Sequence, residues 1–148
     1  MPETAIFRCA QPTDWPAVAK LLAEANLPLD GVQEHLGDFV LAVRDDCVIG
    51  TAALEKYGDC GLLRSVAVIA SEHGRGLGAA LTRQLIDQAQ RDQLRGIVLF
   101  TETAPEFFPR FGFKRIERSA VPLPVQDSLE FKSACPQSAV AMLLDLPA

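Results

Sequence analysis

The chain lacks any apolar run near the length of a membrane span, which excludes a helical membrane anchor within its 148 residues. No secretory leader is expected, because Met1-Pro-Glu-Thr passes directly into a short strand. There is no C-x-x-C pair: Cys9, Cys47, Cys60 and Cys135 are far apart, and the chain has only two histidines. That pattern argues against a disulfide framework and a zinc site, and predicts no metal and reduced, buried apolar thiols in the cytoplasm. A surplus of positive charge is also missing. The net charge of −5 argues against nucleic acid as the main partner, and nothing points to a membrane surface. No repeat, linker or low-complexity segment divides the sequence, so residues 1–148 are expected to form a single domain. With 49% hydrophobic and 22% charged residues, that domain has the means to build a real core.

What is present is organised around Leu62-Leu-Arg-Ser-Val-Ala-Val-Ile-Ala-Ser-Glu-His-Gly-Arg-Gly-Leu-Gly78. It begins as an apolar strand, Leu62 to Val68, and passes through a polar loop into glycines. A helix follows, with Leu77, Leu81, Leu85 and Ala89 on one face. Strand, glycine turn and helix start make a phosphate site. Free N–H groups and the positive end of the helix dipole face the anion, and glycine lets its oxygens approach. His73 and Arg75 add donors there. Two familiar phosphate loops are excluded. Leu77-Gly78-Ala79 stands where a P-loop needs Lys and Ser or Thr, and Gly74, Gly76 and Gly78 are spaced G-x-G-x-G, not G-x-G-x-x-G. The plain alternative is a strand–turn–helix whose glycines only ease packing.

Around this centre, Ala5 to Cys9 reads as a first strand, and Thr13 as the cap of a helix presenting Trp15, Val18, Leu21, Leu22 and Ala25. Gly31 to Leu36 reads as a short second helix. Phe39 to Val43 and Val48 to Lys56 read as a hairpin turning at Asp45-Asp46. Gly96 leads into an apolar strand, Ile97 to Phe100, ending at Thr101. Ala104 to Arg110 is expected to be a short helix, Ser119 to Ser138 a polar loop, and Ala139 to Leu146 a last strand.

His73-Gly-Arg-Gly76-Leu-Gly78 after Val66-Ala-Val68 resembles the pyrophosphate loop of the GCN5-related N-acetyltransferases, Arg/Gln-x-x-Gly-x-Gly/Ala, with His73 where Arg or Gln is usual. Phe107-Phe108-Pro-Arg-Phe-Gly-Phe113 is similar to the end of that family's fourth helix, with Phe108 where many members carry a Tyr that protonates the leaving thiolate. The resemblance implies an α/β (α+β) fold: a mixed sheet of six to seven strands, about four helices, and splayed central strands that admit a pantetheine arm. It implies acetyl-CoA as co-substrate, held by Val66, Ala67, Val68, His73, Gly74, Arg75, Gly76, Leu77, Gly78, Ala79, Phe107 and Phe108. Within the superfamily, Leu54-Glu55, Gly61-Leu-Leu-Arg-Ser-Val-Ala-Val68, Thr101-Glu-Thr-Ala-Pro-Glu-Phe-Phe108 and Cys135-Pro-Gln-Ser-Ala-Val140 resemble the N-acetyltransferases of bacterial arsenic-resistance operons. The Thr101 segment and the Ser138 loop are similar, more distantly, to the acetyltransferase half of N-acetylglutamate synthases. Both imply a small-molecule acceptor with an amine beside an anionic group.

Direct transfer of acetyl to a primary amine is therefore expected, with Glu55 as base, and Arg64, Ser138 and Thr101 toward the substrate. Arg64 lies two residues before Val66, on the same face of the central strand, where a charge is costly unless paired. An ion pair with Glu55 is its rival role, and a solvent-facing position is the rival for Glu55 itself. No Ser or Cys with an adjacent base suggests a covalent intermediate. A non-catalytic acyl-CoA sensor and a dimer module without a cofactor slot are the alternatives, and a homodimer is left open.

Overall fold

The longest helix, α2 (Leu77–Arg91), buries Leu77, Leu81, Leu85 and Ala89 against a seven-stranded sheet. This computed structural model describes residues 5–29, 31–101, 105–126, 128 and 139–146. Its strands are β1 (Ile6–Cys9), β2 (Phe39–Arg44), β3 (Cys47–Tyr57), β4 (Cys60–Val68), β5 (Gly96–Thr101), β6 (Lys114–Ile116) and β7 (Val140–Asp145), ordered β1-β2-β3-β4-β5-β7-β6. Every neighbouring pair is antiparallel except β4 with β5, which are joined through α2. The sheet is mixed and the fold is α/β.

The hairpin between β2 and β3 turns at Asp45 and Asp46, both left-handed at φ 52° and 62°, which suits the twist of the flanking strands. On the face opposite α2, helix α1 (Trp15–Glu24) packs Val18, Leu21 and Leu22 against Leu41, Ala53 and Ala67. A third, one-turn helix, α3 (Leu123–Gln126), buries Val125 beside Leu62, Val98 and Phe100.

Local departures from the sequence reading have identifiable causes. Thr13 does not cap α1. It lies in a 3₁₀ turn (Pro12–Asp14), and the side chain of Asp14 receives the Gln11 backbone N–H at 2.8 Å. Residues 31–35 form turns and Leu36–Asp38 a 3₁₀ turn instead of a second helix, with Gly31 left-handed at φ 75°. Among the described residues of the helix expected over Ala104 to Arg110, 105–107 form a turn and 3₁₀ geometry begins at Phe108 and runs to Phe111, because Pro109 removes a donor within so short a segment; Ala104 lies outside the described residues. The single turn of α3 and the three-residue β6 are too short to leave a periodic signal.

β4 carries a bulge. Thr51 pairs with Ala67 but Ala53 pairs with Arg64, so β4 has one residue more than β3 over that span. Ser65 absorbs it in a left-handed conformation, φ 60°, and its carbonyl accepts the buried Thr51 hydroxyl at 2.7 Å. The extra residue breaks alternation. Leu63 and Val66 both face the α2 side, while Ala67 faces α1. Arg64 therefore lies on the face opposite Val66, which corrects the expectation of a shared face.

Candidate active site

Parallel pairing of β4 with β5 is confined to Cys60↔Gly96, Gly61↔Ile97 and Leu62↔Val98. Beyond Leu62, β4 stays paired with β3 and β5 with β7, so the two diverge. The divergence opens onto a cleft of about 650 Å³, lined by Val66, Ala67 and Val68 on one wall and Phe107 and Phe108 on the other. His73, Gly74, Gly76, Leu77, Gly78 and Ala79 form its end. Of the twelve residues expected around the co-substrate, Arg75 alone is absent from this lining.

The loop is shaped by its glycines. Gly74 and Gly76 are left-handed at φ 81° and 80°, and a Cβ at either would meet nothing within 4 Å. Gly76 caps α2 without a side-chain bond, and Ala80 N–H closes the helix's first turn onto Gly76 O at 3.0 Å. The N–H groups of Leu77, Gly78 and Ala79 thus lie outside the helical ladder, in residues that line the cleft. Open space, orphan donors and the helix dipole together fit a pyrophosphate. His73 donates from Nε2 to Val68 O at 2.7 Å, since a carbonyl can only accept, so the ring ties the loop back to β4. Glu72 also lines the cleft, paired with Arg44 and 3.9 Å from Arg75. The Arg44 hydrogen bond, with the charges of both arginines, holds its carboxyl below the usual range.

The aromatic wall is interlocked edge to face, Phe107 with Phe108 at 5.0 Å and with Phe111 at 5.4 Å, and Phe108 with Phe113 at 5.9 Å. Phe108 is buried and offers no acidic proton.

Behind the cleft, Glu55 and Arg64 pair diagonally across β3 and β4, Nη1 to Oε2 at 3.3 Å, with side chains 2% and 1% exposed. Arg64 also donates to Ser65 Oγ at 3.2 Å and to the Pro28 carbonyl at 3.3 Å, and Tyr57 donates to Glu55 at 2.5 Å. The side chain of Glu55 is buried, not solvent-facing, and neither it nor Arg64 belongs to the cleft lining. Thr101 is buried at the end of β5, outside that lining, and Ser138 lies outside the described residues. Sequence reasoning missed Tyr57, although it stands two residues after Glu55 and so shares its strand face. It also missed Ala25, Leu27, Glu72 and Arg110, which reach the cleft from separate segments and carried no joint signal. Cys9 and Cys47 are exposed, correcting the expectation of buried thiols. Cys60 is buried, and burial first, then Asp59, raises its pKa. Cys135 lies outside the described residues. Among the described residues no group of three His, Cys, Asp or Glu could hold a metal, and no helix is long and apolar enough to cross a membrane.

Splayed strands beside a glycine-capped helix leave a cleft with backbone donors for a pyrophosphate at one end. Residues 5–113 match the Acetyltransferase (GNAT) family, and the chain belongs to it. It is similar to the amino-acid acetyltransferase of Mycobacterium tuberculosis, at 34% identity over 137 residues, which is 84% of this chain and 76% of that one. A protein from M. tuberculosis solved in complex with CoA superposes with a TM-score of 0.81 at 29% identity, covering 96% of this chain and 99% of that one. N-acetylglutamate synthase from Neisseria gonorrhoeae, complexed with coenzyme A and N-acetyl-glutamate, shares the fold with a TM-score of 0.83 at 21% identity. The match covers 100% of this chain and only 36% of the synthase, so the chain spans about a third of that protein's length. The protein is an acetyl-CoA-dependent N-acetyltransferase.

Proposed function

We propose that the chain acetylates the primary amine of a small amino-acid-like substrate, with arsenical and phosphinate analogues of amino acids in its range and a cytoplasmic place in arsenic resistance. The similarity to an amino-acid acetyltransferase over most of both chains carries the substrate class. Acetyl-CoA supplies an acyl group activated as a thioester. The N–H groups of Leu77 to Ala79 hold its pyrophosphate end, and the exposed edge of β4 at Val66 to Val68 pairs with the pantetheine arm and polarises the thioester carbonyl.

An amine reaches the site as an ammonium ion and must lose a proton before it can attack. In this reading Glu55 takes that proton through water. Arg64 holds the substrate's acid group through two parallel hydrogen bonds, with Ser138 and Thr101 as further contacts. The departing thiolate takes its proton from water or another group, because Phe108 has none to give. Direct transfer is supported by the absence of Cys9, Cys47 and Cys60 from the cleft lining.

An acetyl-CoA consumption screen over amino acids and their phosphinate and arsenical analogues tests the proposal. Turnover confined to acceptors with an amine beside an acid group is expected. Equal rates with simple alkylamines would overturn the substrate class.

A further inference from the structure

CoA carries three phosphates, two in the pyrophosphate and one as a separate 3′-monoester with a charge of about −1.5 to −2 at neutral pH. The glycine loop has backbone donors for the pyrophosphate, but Arg44 and Arg75 share the charge of Glu72. One cation on the cleft wall is differently placed. Arg110 lines the cleft from the 3₁₀ turn after Phe107 and forms no ion pair with any described residue. Its Nε donates to Phe107 O at 2.9 Å, and its guanidinium carbon lies 4.6 Å from the centre of the Phe107 ring. Both contacts immobilise the guanidinium while leaving Nη1 and Nη2 without a hydrogen bond among the described residues. A planar fork held still, without an ion pair among the described residues and lining the cleft, suits a phosphate monoester, because little freedom remains to be lost on binding.

We infer that Arg110 binds the 3′-phosphate of acetyl-CoA and so selects CoA over its dephosphorylated form. The inference rests on acetyl-CoA occupying this cleft. Arg83 is an internal control: it stacks on Phe111 at 5.0 Å in the same aromatic group but does not line the cleft.

The test compares acetyl-CoA with acetyl-3′-dephospho-CoA, by kcat/KM and by calorimetric Kd of the free thiols, in the wild type, Arg110→Gln and Arg83→Gln. The wild type should prefer acetyl-CoA. Arg110→Gln should lose about ten- to a hundredfold on acetyl-CoA, mostly in KM, and change little with the dephospho form. Arg83→Gln should keep the wild-type ratio. Equal losses on both co-substrates would overturn the inference and assign Arg110 to the pyrophosphate or to shaping the wall. Unchanged values with both, or no wild-type preference, would overturn it while the acetyltransferase reading stands. A wild type that binds neither form would remove the inference and the cofactor site together.

Discussion

Replacing Gly76 by Val separates the conformational demand of the phosphate loop from its packing. The Gly76 backbone sits at φ 80°, and a Cβ there would meet nothing within 4 Å, so the variant suffers no clash, only torsional strain. A non-glycine residue in that region costs about 1–3 kcal/mol, and a β-branched one falls toward the upper end. A loss of about 2 kcal/mol lowers Tm by about 4–8 °C in a chain of this size, so the protein should remain folded at 25 °C. Relief of the strain requires φ to turn negative, which swings the N–H groups of Leu77 to Ala79 away from the cleft. Losing one charge-assisted hydrogen bond is worth about 1.5–3 kcal/mol, or about ten- to a hundredfold in the Kd for CoA. Gly78→Ala is the contrasting case. Its Cβ would stand 3.6 Å from Phe107 Cζ and 3.9 Å from Val68 Cγ2, which are ordinary contacts. Alanine also improves the helix by up to about 1 kcal/mol, so Tm should hold or rise and CoA should still bind. Calorimetry with CoA alongside thermal unfolding reads both effects. A folded Gly76→Val protein with wild-type affinity would refute the argument that this left-handed turn aims the donors.

Phe108→Tyr should keep turnover or raise it modestly, because it supplies a proton donor that the cleft wall lacks; a collapse of kcat in a folded variant would instead reveal a packing role for the bare ring. Arg64→Lys should lose much of the activity and Arg64→Ala nearly all of it with acidic amines, and neither should matter for amines without an acid group. Equal losses on both acceptor types, together with lower stability, would assign Arg64 to the Glu55 ion pair alone. Acid should destabilise the fold. Hydrogen bonds from Arg44, Arg8 and Lys56 hold Glu72, Asp14 and Asp92 below their ordinary values of 4.5, 3.8 and 3.8. The folded state therefore binds fewer protons than the unfolded chain. The stability present above those values is lost as pH falls through about 4.5 and below. Tm measured from pH 7 to pH 3 should decline in that window, less steeply in high salt, and a flat profile would contradict these pairings.

The sequence by itself determined what is local and periodic. The 3.6-residue spacing of Leu77, Leu81, Leu85 and Ala89 predicts α2, and the glycines at 74 and 76 predict a turn in front of it. The apolar runs of β4 and β5 and the acidic turn at Asp45-Asp46 are legible for the same reason, since each depends only on neighbours along the chain. The order of the sheet, the divergence of β4 from β5 and the bulge at Ser65 were decided by tertiary structure. A register shift leaves no mark in composition, yet one extra residue moved Arg64 to the face opposite Val66. The same holds for the ion pair between Glu55 and Arg64 and the bond from Arg64 to Pro28. Those groups meet because β3 and β4 pair so that residues nine apart face each other diagonally, and a loop 36 residues before Arg64 folds over them. Distances of that kind arise from packing, and no spacing rule along the chain contains them.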